Sequence, residues 1–130
     1  MNLIEETLTG ITRKTHAVLP TPIHELPVLS EMSGCRVFCK RDDLTGFGFG
    51  GNKARKLDFL IADALRSGCD ALVAVGANQS NFCRMASAYG SAHGMDVHLV
   101  LGGKKPDIQT GNLRLDHILG AICHHVESQD

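Results

Sequence analysis

The sequence lacks an excess of charge of either sign, a long apolar run and a regular cysteine pattern, and each absence excludes a class of function. Thirteen basic residues stand against fourteen acidic ones, for a formal net charge of -1. Neither nucleic acid nor an anionic membrane therefore finds the basic patch that would attract it. No apolar stretch approaches the roughly 20 residues needed to cross a bilayer. The opening Met1-Asn2-Leu3-Ile4-Glu5-Glu6 carries early acids where a secretory signal has a basic segment and then an apolar one. Cysteines 35, 39, 69, 83 and 123 form an odd, irregular set. No second pair at metal-ligand spacing follows Cys35 and Cys39, so reduced thiols in a cytoplasmic protein are expected. His93, His98, His124 and His125 share no metal-ligand spacing either, and no metal site is expected. There is no internal repeat, low-complexity tract or charge block.

What remains is the composition of an ordinary soluble domain. It has 130 residues, 43% of them hydrophobic and 21% charged. A chain of this length can bury roughly two-thirds of the surface it exposes when unfolded. The first thirty residues read as irregular, punctuated by Pro20, Pro22 and Pro27. Cys35 to Lys40 reads as a short strand, followed by a loop from Thr45 to Asn52 with four glycines. Leu57, Leu60, Ile61, Ala64 and Leu65 then fall on one face at the helical period, and Gly68 supplies a stop. Ala71 to Val75 has the length and continuous apolarity of a strand buried on both faces. A helix from the Asn78–Asn81 turn toward Gly90 or Gly94, a strand at Val97–Leu101, a helix at Asn112–Leu119 and a strand at Ala121–Val126 follow. Strands alternating with helices of this length predict an α/β fold, an open parallel sheet with helices on both faces.

Such sheets bind ligands beyond the C-terminal ends of their strands. Two polar, glycine-marked turns at junctions leading into helices, Gly46–Lys53 and Gly76–Asn81, are therefore where chemistry is expected. Lys53 follows Gly50-Gly51-Asn52 and begins a helix, where the positive end of the helix dipole disfavours the ammonium form. A lysine so placed is a usable nucleophile toward an aldehyde. A solvated helix-start lysine fits the same residues. A nucleotide-binding module is a further alternative: Gly46, Gly48 and Gly51 match a dinucleotide fingerprint. A phosphate loop, however, would place Ser or Thr where Ala54 stands. In the second turn Ser80 or Asn81 would cap a helix whose N-terminal N–H groups suit a carboxylate or phosphate.

Together the two turns resemble one family. Lys40-Arg41-Asp42-Asp43-Leu44, Phe49 to Leu57 around Gly-Gly-Asn-Lys, Gly76 to Asn81 ending Gln-Ser-Asn, Arg84, Thr21-Pro22-Ile23 and Gly111-Asn112 with Leu115-Asp116 are similar to the signature of the D-cysteine desulfhydrase and 1-aminocyclopropane-1-carboxylate deaminase family. The resemblance implies half of a tryptophan-synthase-like, fold type II pyridoxal-phosphate enzyme. Residues 1–50 would belong to the large cofactor domain and 51–130 to a small, incomplete α/β domain. It also implies the cofactor pyridoxal 5'-phosphate, held by Lys53 as a Schiff base, with Lys53 then moving the Cα proton. Asn81 would bond the phenolic oxygen and Asn52 shape the cofactor pocket. N–H groups at Ser80, Asn81 and Phe82 would hold a substrate carboxylate, and the Ser80 hydroxyl would aid proton transfer. The implied activity is α,β-elimination from D-cysteine to pyruvate, ammonia and hydrogen sulfide. Aminocyclopropane-carboxylate deamination and cysteate desulfonation are its alternatives, and a non-catalytic interaction fragment stands outside the class. The desulfhydrase side is favoured by the short Gly102–Asp107 link. Phe82 and Cys83 depart from the family pattern, Phe82 beside the expected carboxylate site. The family's phosphate cup lies in a segment corresponding to positions past Asp130. A homodimer is expected of the full-length enzyme, and weak cofactor binding with little turnover of this chain by itself.

Overall fold

The computed structural model describes residues 10–127, so the opening Met1–Glu6 segment lies outside the described residues. Two β-units follow one another along the chain. The first is a small antiparallel pair, β1 (Ile23–Glu25) with β2 (Phe38–Lys40), in which Ile23 faces Lys40 and Glu25 faces Phe38. Helix α1 (Pro27–Ser33) connects them. Proline at its first turn loses no hydrogen bond, and Gly34 ends it in the left-handed conformation. The proline-punctuated segment expected to be irregular thus holds a strand and a helix, and the strand expected at Cys35–Lys40 is shortened to Phe38–Lys40.

The second unit is a three-stranded parallel sheet in the order β3 (Ala71–Ala77), β4 (Asp96–Gly102), β5 (Ile122–Val126). Its helices are α2 (Ala54–Arg66), α3 (Asn81–Ala92) and α4 (Gly111–Ile118). The alternation read from the sequence is present. Helix α3 is central: every residue from Cys83 to Gly90 is buried, against the sheet, α2, α4 and the glycine-rich loop. Met85, Tyr89, Leu99 and Leu101 are all fully buried in the same core, each worth about 1.5–3 kcal/mol of apolar transfer.

Two details differ from the sequence reading. On α2 the buried positions are Ala54, Leu57, Asp58, Ile61 and Ala62, and Leu60 is half exposed. The buried stripe is rotated toward Asp58, whose carboxylate accepts from the buried Tyr89 hydroxyl. In the sheet, Val97, Leu99 and Leu101 point into the core, while Val73 and Val75 are 66% and 69% exposed. Register lines up Val73, His98 and Ile122 across the three strands, and Val75, Val100 and His124 likewise. Helices therefore cover one face of the sheet among the described residues. The apolar run of β3 is that of a strand made to be covered on both.

Candidate active site

The glycine-rich loop is a hydrogen-bonded scaffold with two short 3-10 turns, Asp42–Thr45 and Phe47–Phe49. Thr45 is fully buried at its centre. Its hydroxyl oxygen accepts from the Gly51 N–H at 2.9 Å and lies 2.9 Å from the Asp42 carbonyl oxygen, which accepts its proton. Gly50 has φ +72° and ψ 165°, a region essentially confined to glycine. This turn delivers the chain to Asn52 and Lys53. Lys53 is the cap residue of α2, in helical conformation, and its Nζ donates to Asn52 Oδ1 at 2.9 Å.

Asp42 fastens the loop to the chain before it. Its carboxylate accepts two bonds of 2.7 Å from Arg55 and one of 2.8 Å from the Thr21 hydroxyl. The Arg55 bonds, opposed by desolvation and helped by Thr21, hold the Asp42 carboxyl down at about 2. A carboxyl depressed on folding stabilises the fold above the ordinary carboxylate range and loses that contribution as the pH falls through its folded value. Asp42→Asn is therefore expected to cost about 1 kcal/mol at neutral pH, as a partly exposed pair does. The gap from wild type should close between about pH 4 and pH 2. Unfolding midpoints measured across that window check it, and a gap unchanged at pH 2 would contradict it.

Helix α3 joins the loop to the second turn. Ser80 caps it, its hydroxyl oxygen accepting from the Cys83 N–H at 3.2 Å. The Ser80 N–H donates to the Ala77 carbonyl. Of the N–H groups expected to hold a carboxylate, those of Asn81 and Phe82 have no partner among the described residues, while that of Ser80 is used. Phe82 is half-buried against the core, and Lys56, one turn beyond Lys53, sets its ammonium 3.7 Å from the ring centroid. Cation and ring attract there, bringing the start of α2 beside the start of α3.

One turn further, the buried Arg84 donates from Nη2 to the Gly50 carbonyl at 3.0 Å. Burial pushes its guanidinium's pKa down and the Asp116 carboxylate on α4 acts the other way. Deeper still, the Tyr89 hydroxyl donates to Asp58 Oδ1 at 2.7 Å, and burial with this bond pushes the phenol up. Tyr89→Phe removes a donor from a buried carboxylate whose Oδ2 already has no partner among the described residues. It is expected to lower stability by about 1–3 kcal/mol, read as a drop in the thermal midpoint. An unchanged midpoint would show that Asp58 does not need the phenol.

The Gln-Ser-Asn turn is also tied to α4. Asn112 donates from its backbone to Gln79 Oε1, and from Nδ2 to the Gln79 carbonyl and to Asn81 Oδ1, each at 2.9 Å. Lys53 and Asn52 thus share one junction, and Ser80, Asn81 and Phe82 the other. Arg84, Lys56 and the body of α3 hold the two together, with no hydrogen bond between Lys53 and Ser80 or Asn81 among the described residues. Sequence reading assigned no role to Gln79, Arg84 or Asn112. All three stood within the quoted motifs, which were their only signal.

Comparison with known proteins follows the same line. A family model described as "Pyridoxal-phosphate dependent enzyme" matches residues 14–130. A Pyrococcus abyssi protein provisionally named a 1-aminocyclopropane-1-carboxylate deaminase is 40% identical over 117 residues, covering 90% of this chain and 35% of its own. The D-cysteine desulfhydrase of Salmonella typhimurium is 47% identical over 88 residues, covering 68% of this chain and 27% of its own. A solved structure described as an ACC deaminase homologue superposes with a TM-score of 0.88 at 40% identity, over 100% of this chain and 40% of that one. The chain spans about a third of the length of the curated relatives it matches. With the signature lysine and asparagine at two junctions fastened by one helix, and the family match running through both, the chain belongs to the pyridoxal-phosphate-dependent enzyme family.

Proposed function

We propose that this chain carries the cofactor-attaching part of a lyase that acts on a small amino acid, with elimination from D-cysteine as the reaction and aminocyclopropane-carboxylate deamination as the second reading. The observation that carries it is a Lys53 amine held by Asn52 at one junction and, at the other, an Asn81 amide whose oxygen is occupied by Asn112. Asn81 Nδ2 has no partner among the described residues, so the side chain offers a donor, as an anionic phenolic oxygen requires. The unpartnered N–H groups of Asn81 and Phe82 at the start of α3 suit a carboxylate for the same reason. The residues present therefore fit pyridoxal phosphate and an amino-acid substrate.

When bound, pyridoxal phosphate supplies the electron sink that allows a Cα proton and then a β-substituent to leave. Lys53 Nζ would hold the cofactor covalently and, when free, would take the Cα proton. Asn81 would donate from Nδ2 to the cofactor's phenolic oxygen. Asn52 accepts from Lys53 and limits where the amine can point. The N–H groups of Asn81 and Phe82 orient the substrate carboxylate. The Ser80 oxygen is engaged by the Cys83 N–H, which leaves its O–H free to donate a hydrogen bond at the reacting centre and so to aid proton transfer. Residues 1–50 would complete the larger domain. The chain alone is proposed to bind cofactor weakly, and the protein at the length of its relatives to act as a homodimer.

Borohydride reduction with pyridoxal phosphate tests this reading, on the 130-residue chain and on the protein at the length of its relatives. Peptide mapping is expected to place a stoichiometric pyridoxyl label on Lys53 in the longer form. Label spread over surface lysines without preference for Lys53 would sink the reading. Release of sulfide from D-cysteine, against ammonia from the cyclopropane substrate, separates the two reactions.

A further inference from the structure

The three side-chain amides at the Gln-Ser-Asn turn form a chain whose directions are set by backbone groups. Gln79 Oε1 accepts from the backbone N–H of Asn112 at 2.9 Å, and Gln79 Nε2 donates to the Thr110 carbonyl at 3.1 Å. Since an N–H can only donate and a carbonyl can only accept, the Gln79 amide has one permitted orientation. The Asn112 amide is fixed in the same way, because its Nδ2 meets the Gln79 carbonyl at 2.9 Å. Its second hydrogen then faces Asn81 at 2.9 Å, and only the oxygen of Asn81 can accept it. The polarity of Asn81 is thus dictated two steps away by groups that cannot flip. Gly111 makes room for this arrangement: at φ +54°, a Cβ there would lie 2.4 Å from Gln79 Oε1.

We infer that Asn112 is a positioning residue that turns the Asn81 amide so that its NH2, rather than its oxygen, faces the ligand. The inference rests on the proposed role of Asn81 and adds what sets it. With its oxygen turned outward Asn81 would repel an anionic oxygen; with its NH2 outward it donates a charge-assisted bond. The two orientations fill the same volume, so packing cannot choose between them and a neighbouring donor must.

Asn112→Asp is the discriminating variant. A carboxylate cannot donate to Asn81 Oδ1 but accepts readily from Asn81 Nδ2, so it should hold Asn81 in the wrong orientation. Asn112→Ala leaves Asn81 free to rotate and should do less harm. The readouts, taken on the protein at the length of its relatives, are the pH midpoint of the visible band of bound pyridoxal phosphate and the cofactor dissociation constant. A donated bond to the phenolic oxygen lowers that midpoint, so Asn81→Ala and Asn112→Asp should each raise it by about one unit, the scale of one hydrogen bond to a charge. Each should weaken cofactor binding about tenfold. The Asn81→Ala/Asn112→Asp double variant should move no further than Asn81→Ala alone, which a general loss of folding would not reproduce.

An Asn112→Asp midpoint equal to wild type, effects that add in full in the double variant, or an Asn112→Ala change larger than that of Asn112→Asp would each overturn the inference. An Asn81→Ala midpoint equal to wild type overturns it too, and removes the role proposed for Asn81. In all these cases Lys53 still takes the label, whereas no label on Lys53 overturns the proposed function and this inference together.

Discussion

Replacing Lys53 with alanine is expected to remove the borohydride-stable label altogether and to lower turnover by roughly 10²–10⁴-fold from the lost proton transfer alone. Lys53→Arg should fare no better. A guanidinium keeps the charge and most of the length, but it stays protonated and cannot add to an aldehyde. Two features of the site argue that the loss is chemical rather than structural. Lys53 lies at the edge of α2 with its Nζ bonded, among the described residues, only to the neighbouring Asn52 side chain. The core contacts of that helix begin at Ala54 and Leu57. Both variants should therefore unfold near the wild-type midpoint while losing cofactor attachment. A label of wild-type extent in Lys53→Ala would show that another lysine does this work.

Gly50→Ala is expected to have the largest effect on the scaffold. A Cβ at Gly50 would lie 2.0 Å from the Asp43 carbonyl oxygen and 3.0 Å from its carbon. Both are backbone atoms, so no side chain can rotate away. The dihedral angles add a cost of about 1–3 kcal/mol for any residue with a side chain. The loop must move, and with it the Gly50 carbonyl that receives the Arg84 bond. The unfilled buried guanidinium then adds about 1–3 kcal/mol or more. The expected outcome is a loss of several kcal/mol in stability together with loss of preferential labelling at Lys53. Gly68→Ala is the control, since a Cβ there meets nothing within 4 Å. It shares a positive φ of +71° and so carries only the conformational cost. Equal midpoints for the two variants would show that the close approach at Asp43 is unimportant.

Much of this architecture was legible before any coordinates. The helical period over Leu57 to Leu65 and the apolar runs at residues 71–75 and 97–101 located α2, β3 and β4. Their alternation indicated a parallel sheet. Such signals are local, because a helix or buried strand must repeat its burial at its own period. β1 and α1 escaped for the converse reason. A three-residue strand has no period to read, and Pro27 serves equally as a helix start or a break. The extra exposure of Val73 and Val75 was also invisible, since an apolar strand looks the same whether or not its second face is covered.

By itself the sequence determined the alternating α/β order, the two glycine-marked junctions and, through the combined Gly-Gly-Asn-Lys and Gln-Ser-Asn motifs, the family. Only the tertiary structure decided which polar groups serve those motifs: that Arg84 holds Gly50 across 34 positions, that Lys56 lies over Phe82, and that Asn112 reaches Asn81 across 31. The physical reason is that periodicity and capping are written in neighbouring residues. The partner of a buried or oriented polar group is chosen by where the packing of α3 and α4 places it, and a one-dimensional pattern does not carry that distance.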